Sequence, residues 1–129
     1  MDQVSAAVGQ GLWATFGNRL FAWGRNENGQ LGLGNITYYS SPKQIGALTA
    51  WSAVSTGLDG EDSTAIKTDG TLWSWGRNNL GQLGLGNRTN YSSPKQVGAL
   101  TNWSNIISGY STKIAIKTDG TLWAWGYNS

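Results

Sequence analysis

No cysteine and no histidine occur in the 129 residues. The first absence excludes disulfides and thiolate metal sites. Together they remove the commonest general base and the commonest transition-metal ligands. Charge is also scarce, at 12% of residues, with a net charge of +2 and a pI near 9.0. The nine Lys and Arg are scattered, with no run of three. A nucleic-acid binder gathers its basic residues into a patch, so no nucleic-acid partner is expected. No apolar stretch approaches the length of a membrane span, so no membrane partner is expected either. The start, Met1-Asp2-Gln3-Val4, lacks the basic opening and apolar run of a secretory signal. The expectation is a protein made in a cytosol that stays cytoplasmic or is carried in a virion or other assembly.

Glycine and tryptophan are abundant, with 19 and 8 residues. Glycine suits tight turns, and large aromatic rings suit a core built between short strands. Disorder would need few aromatics and many charges, the opposite of this composition.

The dominant feature is internal repetition. The stretch 23–49 matches 75–101 with five differences, and 65–75 matches 115–125 with one. The Trp-Gly pairs Trp23-Gly24, Trp75-Gly76 and Trp125-Gly126 stand 52 and 50 residues apart. A period near 50 marks a propeller or solenoid array. The central unit offers strands at 51–57, 63–68, 71–76 and 94–98. Asp69-Gly70, repeated as Asp119-Gly120, suits a two-residue type I′ hairpin turn, and Pro42 and Pro94 open the fourth strands. A Gly-rich connection, 76–87, joins the third and fourth strands, with Leu83 and Leu85 tucking it onto the core. In Leu72-Trp73-Ser74-Trp75 the two indoles share one face and Leu72 takes the other. Strands apolar on both faces fit blades stacked between blades. In the more diverged first unit, 4–9, 12–16 and 19–23 take the places of the first three strands. The fold class expected is all-β: a propeller-like array of about three four-stranded antiparallel blades, the last incomplete, not a closed ring within one chain. The single repeat domain, 1–129, divides into blade 1 at about 4–48, blade 2 at about 51–100 and a partial blade 3 at about 103–129.

The run from Asp69 to Gly84 joins an Asp-Gly turn, an aromatic strand ending in Trp-Gly, and Asn-x-x-Gly-Gln-Leu-Gly. It resembles the regulator of chromosome condensation repeat, and the resemblance covers nearly the whole chain. It implies blades of four antiparallel strands, closed into a ring in relatives with seven repeats. The best-known activity of that family is nucleotide exchange on a small GTPase, with chromatin binding. This chain departs from it in having too few repeats for a ring, no basic tail, and no histidine where family repeats often carry one, near 111–113. Other relatives are plain binding scaffolds.

Each remaining motif has a structural reading. The loop 81–86 has the wrong order for a dinucleotide fingerprint and no following helix. Seven Trp recur in phase and read as core; Trp13 aligns with Ala65 and is free to serve a contact. Asp59, Glu61 and Asp62 lie in a loop two residues longer than its counterpart, without the ligand spacing of a calcium loop, and read as solvated, with a cation site as the alternative. The Asn-x-Ser/Thr triplets at Asn35, Asn87, Asn90 and Asn102 follow from composition. Positions that break the repeat are the better contact candidates, since exposed Tyr is common at interfaces. The candidate partner-binding residues are Trp13, Tyr38, Tyr39, Tyr91, Tyr110 and Tyr127. No nucleophile–base pair exists without histidine, and a lysine base needs a burial that the sequence does not display. No catalytic residue, metal ligand or cofactor site is read. The function expected is a non-enzymatic structural or interaction protein. It would act by self-assembly or by docking on a larger assembly, such as a virion surface, decoration or tail component. The alternative is a module that binds a glycan or a protein through its loops, which would gather the aromatic candidates on one rim. A GTPase exchange factor ranks below both.

Overall fold

The structure, a computed structural model, describes residues 18–47 and 50–128. All regular structure in these residues is antiparallel β. Strands β1 (Phe21–Gly24) and β2 (Tyr39–Gln44) form a pair. β3 (Trp51–Thr56), β4 (Asp62–Lys67), β5 (Leu72–Gly76) and β6 (Tyr91–Gln96) form a four-stranded meander in chain order. β7 (Trp103–Ser108), β8 (Thr112–Lys117) and β9 (Leu122–Gly126) form a three-stranded sheet. The second sheet is a whole blade. The flanking sheets are the last two strands of one blade and the first three of another. The strands expected at 4–9 and 12–16, and Trp13, lie outside the described residues.

The core sits between blades, because period-2 alternation sends neighbouring side chains to opposite faces and both faces are apolar. One cluster joins Ile45 of the first blade to Trp51, Ala65 and Trp75 of the second. The next joins Ile66, Leu72 and Val97 of the second blade to Trp103, Ile106 and Ala115 of the third. Thus Trp75 faces backward and Leu72 forward, as the alternation in β5 requires. Within each interface two indoles meet edge to face, Trp51 on Trp75 with centroids 5.9 Å apart and Trp103 on Trp125 at 6.2 Å. Such pairs add about 0.5–1.5 kcal/mol beyond the burial itself.

One device is built twice across these interfaces. The indole N–H of Trp75 donates to the Gln30 carbonyl at 2.9 Å, and that of Trp125 to the Gln82 carbonyl at 3.1 Å. Each acceptor lies in the Gly-rich loop of the preceding blade. A buried asparagine shapes that loop from within. Asn78 accepts from the Leu83 amide and donates to the Asn87 and Thr89 carbonyls, and Asn26 repeats the pattern. Buried amides of this kind persist because each polar atom finds a partner. The loop then lies flat on the next indole: a Cβ on Gly84 would stand 2.6 Å from Nε1 of Trp125, and one on Gly32 2.7 Å from that of Trp75.

Two local expectations need correction. The fourth strand starts at Tyr91 and not at Pro94, so Pro42 and Pro94 lie inside their strands. They are tolerated there because β2 and β6 are edge strands, where a ladder donor can be missing. The Asp-Gly hairpins are not two-residue type I′ turns. The Gly70 amide donates to the Lys67 carbonyl and the Lys67 amide to the Thr71 carbonyl. That is a three-residue loop, a type I turn closed by a glycine bulge at φ +84°. The Asp69 carboxylate holds it by accepting from both the amide and the hydroxyl of Thr71, and Asp119 does the same for Thr121. These bonds hold both carboxyls below the usual range.

One inter-blade contact is not repeated. The ammonium of Lys113 in β8 is bonded and ion-paired to Oδ1 of Asp62 in β4, with both side chains fully buried. At the equivalent positions Lys113 stands where the second blade has Ser63, and Asp62 where the third has Thr112. Oδ2 of Asp62 has no hydrogen-bond partner. Burial therefore pushes the Asp62 carboxyl above its ordinary value, and Lys113 pulls it partway back. A group raised in the folded state favours folding below its unfolded pKa and loses that contribution as pH rises.

Two predictions follow from the interface. Gly84→Ala meets the indole as well as the cost of positive φ (+74°), whereas Gly86→Ala, at φ +77° with open space around it, meets only the latter. Urea unfolding followed by Trp fluorescence should show a loss of about 1–2 kcal/mol for Gly86→Ala and about 3 kcal/mol or more for Gly84→Ala. Lys113→Met leaves the buried Asp62 carboxylate unpaired and should cost about 3–5 kcal/mol at pH 7. The deficit should shrink as pH falls and the carboxyl, raised by burial, protonates, and the double variant Asp62→Asn/Lys113→Met should recover most of it.

Candidate interaction surface

The register places the tyrosine candidates at matching ends of their sheets. Tyr39 opens β2 opposite Gly24, and Tyr91 opens β6 opposite Gly76. In the third blade Thr112 lies opposite Gly126, so Tyr110, just before β8, and Tyr127, just after β9, share that end. Tyr38 precedes Tyr39 on the same rim. Trp13 lies outside the described residues.

The five tyrosines differ in how they are held. Tyr39 and Tyr91 are half-buried. Each hydroxyl accepts from an asparagine, Asn35 at 3.2 Å and Asn87 at 3.1 Å, and each ring carries a lysine ammonium, Lys43 at 5.5 Å and Lys95 at 5.4 Å. These are scaffold contacts repeated blade to blade. Tyr38, Tyr110 and Tyr127 are exposed. The Tyr38 hydroxyl donates to Glu27 at 3.0 Å, and Glu27 also takes the guanidinium of Arg25. The Arg25 bond first, then that from Tyr38, holds the Glu27 carboxyl below its usual range. Arg77 and Glu61 form the matching pair on the second blade. Leu58 and Tyr110, equivalent in the repeat and both exposed, come together where the Leu58 amide donates to the Gly109 carbonyl at 3.2 Å. The rim is thus studded with exposed aromatic and aliphatic side chains between ion pairs, a surface suited to protein contact.

The acidic loop does not assemble a cation site among the described residues. Asp62 turns inward to Lys113, and the Asp59 carboxylate caps the Glu61 amide at 3.0 Å. Lys113 is a buried lysine that the sequence does not display, and its ammonium is committed to Asp62; Lys117 is buried too, with its ammonium over Trp123. The signal was present: Lys113 and Asp62 each break the repeat, and they do so on facing strands.

Not every repeated tryptophan is core. Trp51, Trp75 and Trp103 are buried, but Trp23 and Trp123 are exposed. They lie on β1 and β9, the third strands of the first and last blades. Trp123 is covered only in part, by the Lys117 ammonium at 3.9 Å, and Lys67 sits likewise on Trp73 at 3.8 Å. A cleft of about 320 Å³ between the first two blades is lined by Leu33, Ile45, Trp51, Lys67 and Pro94 among others. It brings no pair of acid and base together.

The forward face of the third blade is the largest departure from the core pattern. In the second blade this face carries Ser55, Thr64, Ile66, Leu72 and Ser74, and the last four are buried under the third blade. In the third blade the same positions carry Ile107, Ile114, Ile116, Leu122 and Ala124, while Asn105 replaces the Ala53 that lies beside Ile66. Leu72 is 0% exposed and Leu122 is 67%. The open face is therefore more apolar than its buried counterpart.

The family model for the regulator of chromosome condensation (RCC1) repeat matches residues 18–59 and 69–116, and a second model of that description matches 52–82. The ultraviolet-B receptor UVR8 of Arabidopsis thaliana is 34% identical over 97 residues, covering 75% of this chain and 22% of that protein. The protein RCC2 homolog of Xenopus laevis is 38% identical over 87 residues, covering 67% of this chain and 17% of that protein. The chain thus spans about a fifth of the curated relatives it matches. Among solved structures, yeast RCC1 (Prp20) bound to Kap60 superposes with a TM-score of 0.70 at 24% identity, over 84% of this chain and 26% of that one. The last likeness shows the fold, and the repeat models show the family: this chain belongs to the regulator of chromosome condensation repeat family, as a run of its β-propeller blades.

Proposed function

We propose that the chain is a non-enzymatic docking module whose propeller blades bind protein, either another copy of itself or a larger assembly. The observation that carries this reading is the forward face of the third blade. Ile107, Ile114, Ile116 and Leu122 form a contiguous apolar sheet face, and a patch of this kind is covered by further polypeptide, be it another blade or a partner. The same positions carry Ser55 and Thr64 in the second blade, where Ile107 and Ile114 stand in the third. Covering each such side chain is worth about 1.5–3 kcal/mol, so the face as a whole is a strong driver of association.

Protein partners agree with a protein of the same fold, since yeast RCC1 was solved bound to Kap60. That likeness is of fold, and exchange activity on a GTPase is not assigned from it. These relatives do not speak for a virion role, and glycan binding gains nothing from Trp51, Trp75 and Trp103, which are buried, or from Trp73 and Trp123, which stack under lysine. The rim bearing Tyr38, Tyr110 and Tyr127 is proposed as a second, smaller contact area.

The test exchanges the open face for residues that the repeat already carries there: Ile107→Ser, Ile114→Thr and Ala124→Ser. Light scattering on a sizing column should show that wild type gains mass with concentration, or with a captured partner, while the triple variant stays monomeric with unchanged β content. A wild type that is monomeric at every concentration, captures no protein, and binds a hydrophobic dye no better than the variant would overturn the reading.

A further inference from the structure

We infer that the cleft between the first two blades is a binding site for a carboxylate carried on a compact apolar body. This site is separate from the third-blade face, and a result on one leaves the other standing. The cleft has a volume of about 320 Å³, and Leu33, Ile45, Trp51, Lys67, Ser93 and Pro94 are among the residues that line it. That volume is at the small end of ligand pockets, which begin near about 300 Å³. Leu33 and Ile45 belong to the first blade and the other four to the second.

Two residues of its lining carry donors that lack an acceptor. Three indoles meet at this junction. The N–H of Trp75 donates to the Gln30 carbonyl at 2.9 Å, and that of Trp73 to the Thr71 hydroxyl at 2.8 Å. The N–H of Trp51 has no partner among the described residues, although Trp51 is only 5% exposed. Folded chains pair nearly all buried donors, so this one calls for an acceptor. The second donor is the Lys67 ammonium. It lies 3.8 Å from the Trp73 ring centroid and 5.2 Å from that of Trp51, and no carboxylate of the described residues pairs with it. The Asp69 carboxylate, two residues on, is taken by Thr71. The ammonium therefore stands beside the ring that carries the unpaired N–H. A cation and a neutral donor so close together match the two oxygens of a carboxylate, and the bond to the cation is charge-assisted. Leu33, Ile45 and Pro94 supply apolar cover for the carbon skeleton. The donor pair recurs at the second junction, where the Trp103 N–H is again unpaired and Lys117 lies 5.1 Å from the Trp103 ring. There the lysine is 6% exposed, whereas Lys67 is half-buried and lines the open cleft.

The test titrates the whole chain with phenylacetate and follows the indole N–H signals by proton–nitrogen NMR. The Trp51 signal is identified by its loss in Trp51→Phe. Saturable movement of that signal is expected. Neutral phenylacetamide should bind at least about tenfold more weakly, because it cannot form the charge-assisted bond. Lys67→Met should weaken phenylacetate binding by a similar factor. Lys43→Met removes an exposed lysine that stacks on Tyr39 outside the cleft, and this charge-matched control should bind as wild type does. A short peptide ending in a phenylalanine carboxylate separates the two sources of such a group. Tighter binding than phenylacetate assigns the site to the acidic end of a polypeptide, and binding no tighter assigns it to a free acid. No saturable shift with either acid, equal affinity for phenylacetamide, or unchanged affinity in a folded Lys67→Met would overturn the site. The comparison of acid with amide uses wild type alone, so it decides the matter even where Lys67→Met fails to fold.

Discussion

Indole N–H groups reaching across blade boundaries are the contacts on which this architecture depends. Trp75 and Trp125 each bury a large ring in an inter-blade core and each must satisfy one donor there. A backbone carbonyl in the preceding Gly-rich loop does so. That one bond explains why the loop needs glycine where it crosses the ring, why Asn78 must brace the loop from inside, and why Trp-Gly recurs at the period of the repeat. Loop, strand and next blade are coupled, so no blade has a core of its own. Stability accrues at interfaces, as in other repeat arrays.

The repeated contacts set how any two blades stack, and the contacts that are not repeated distinguish one junction from another. Asp62 and Lys113 mark the second junction. A buried pair of this kind contributes little net stability compared with an apolar filling. Its consequence is that any other lysine or aspartate at this interface would be left without a partner. The first junction uses Ser63 in the same place, bonded at 2.9 Å to the carbonyl of Gln30. The same backbone geometry therefore carries two different chemistries at equivalent sites.

The two ends of the described array are chemically unlike the middle. Where a blade has neighbours on both sides, its forward face is mostly small, polar and sealed. At the third blade the face is isoleucine and leucine, apolar enough to need cover from a further blade or a partner. The rim of exposed Tyr38, Tyr110 and Tyr127 adds a surface whose side chains are not part of the repeated scaffold.

The sequence by itself determined the period, the four-strand unit, the inward-facing indoles and the family, because each is local and written more than once. Alternation in Leu72-Trp73-Ser74-Trp75 was enough to assign two buried faces. It was not enough to place the start of β6, because Tyr-Ser-Ser looks like loop and becomes strand only when pairing with β5 and cover from the neighbouring loop supply its hydrogen bonds. Nor could the Asp-Gly dipeptide reveal its turn class, which depends on the bond between Lys67 and Thr71 across it. Tyr38, Tyr110 and Tyr127 could be chosen as breaks in the repeat, but only the strand register set them at matching ends of their sheets. Asp62 reads in the sequence as a solvated loop acid, and nothing there pairs it with Lys113, fifty-one positions away. Only the stacking of one blade on the next brought them together, since burial and charge pairing are properties of an interface and not of a segment.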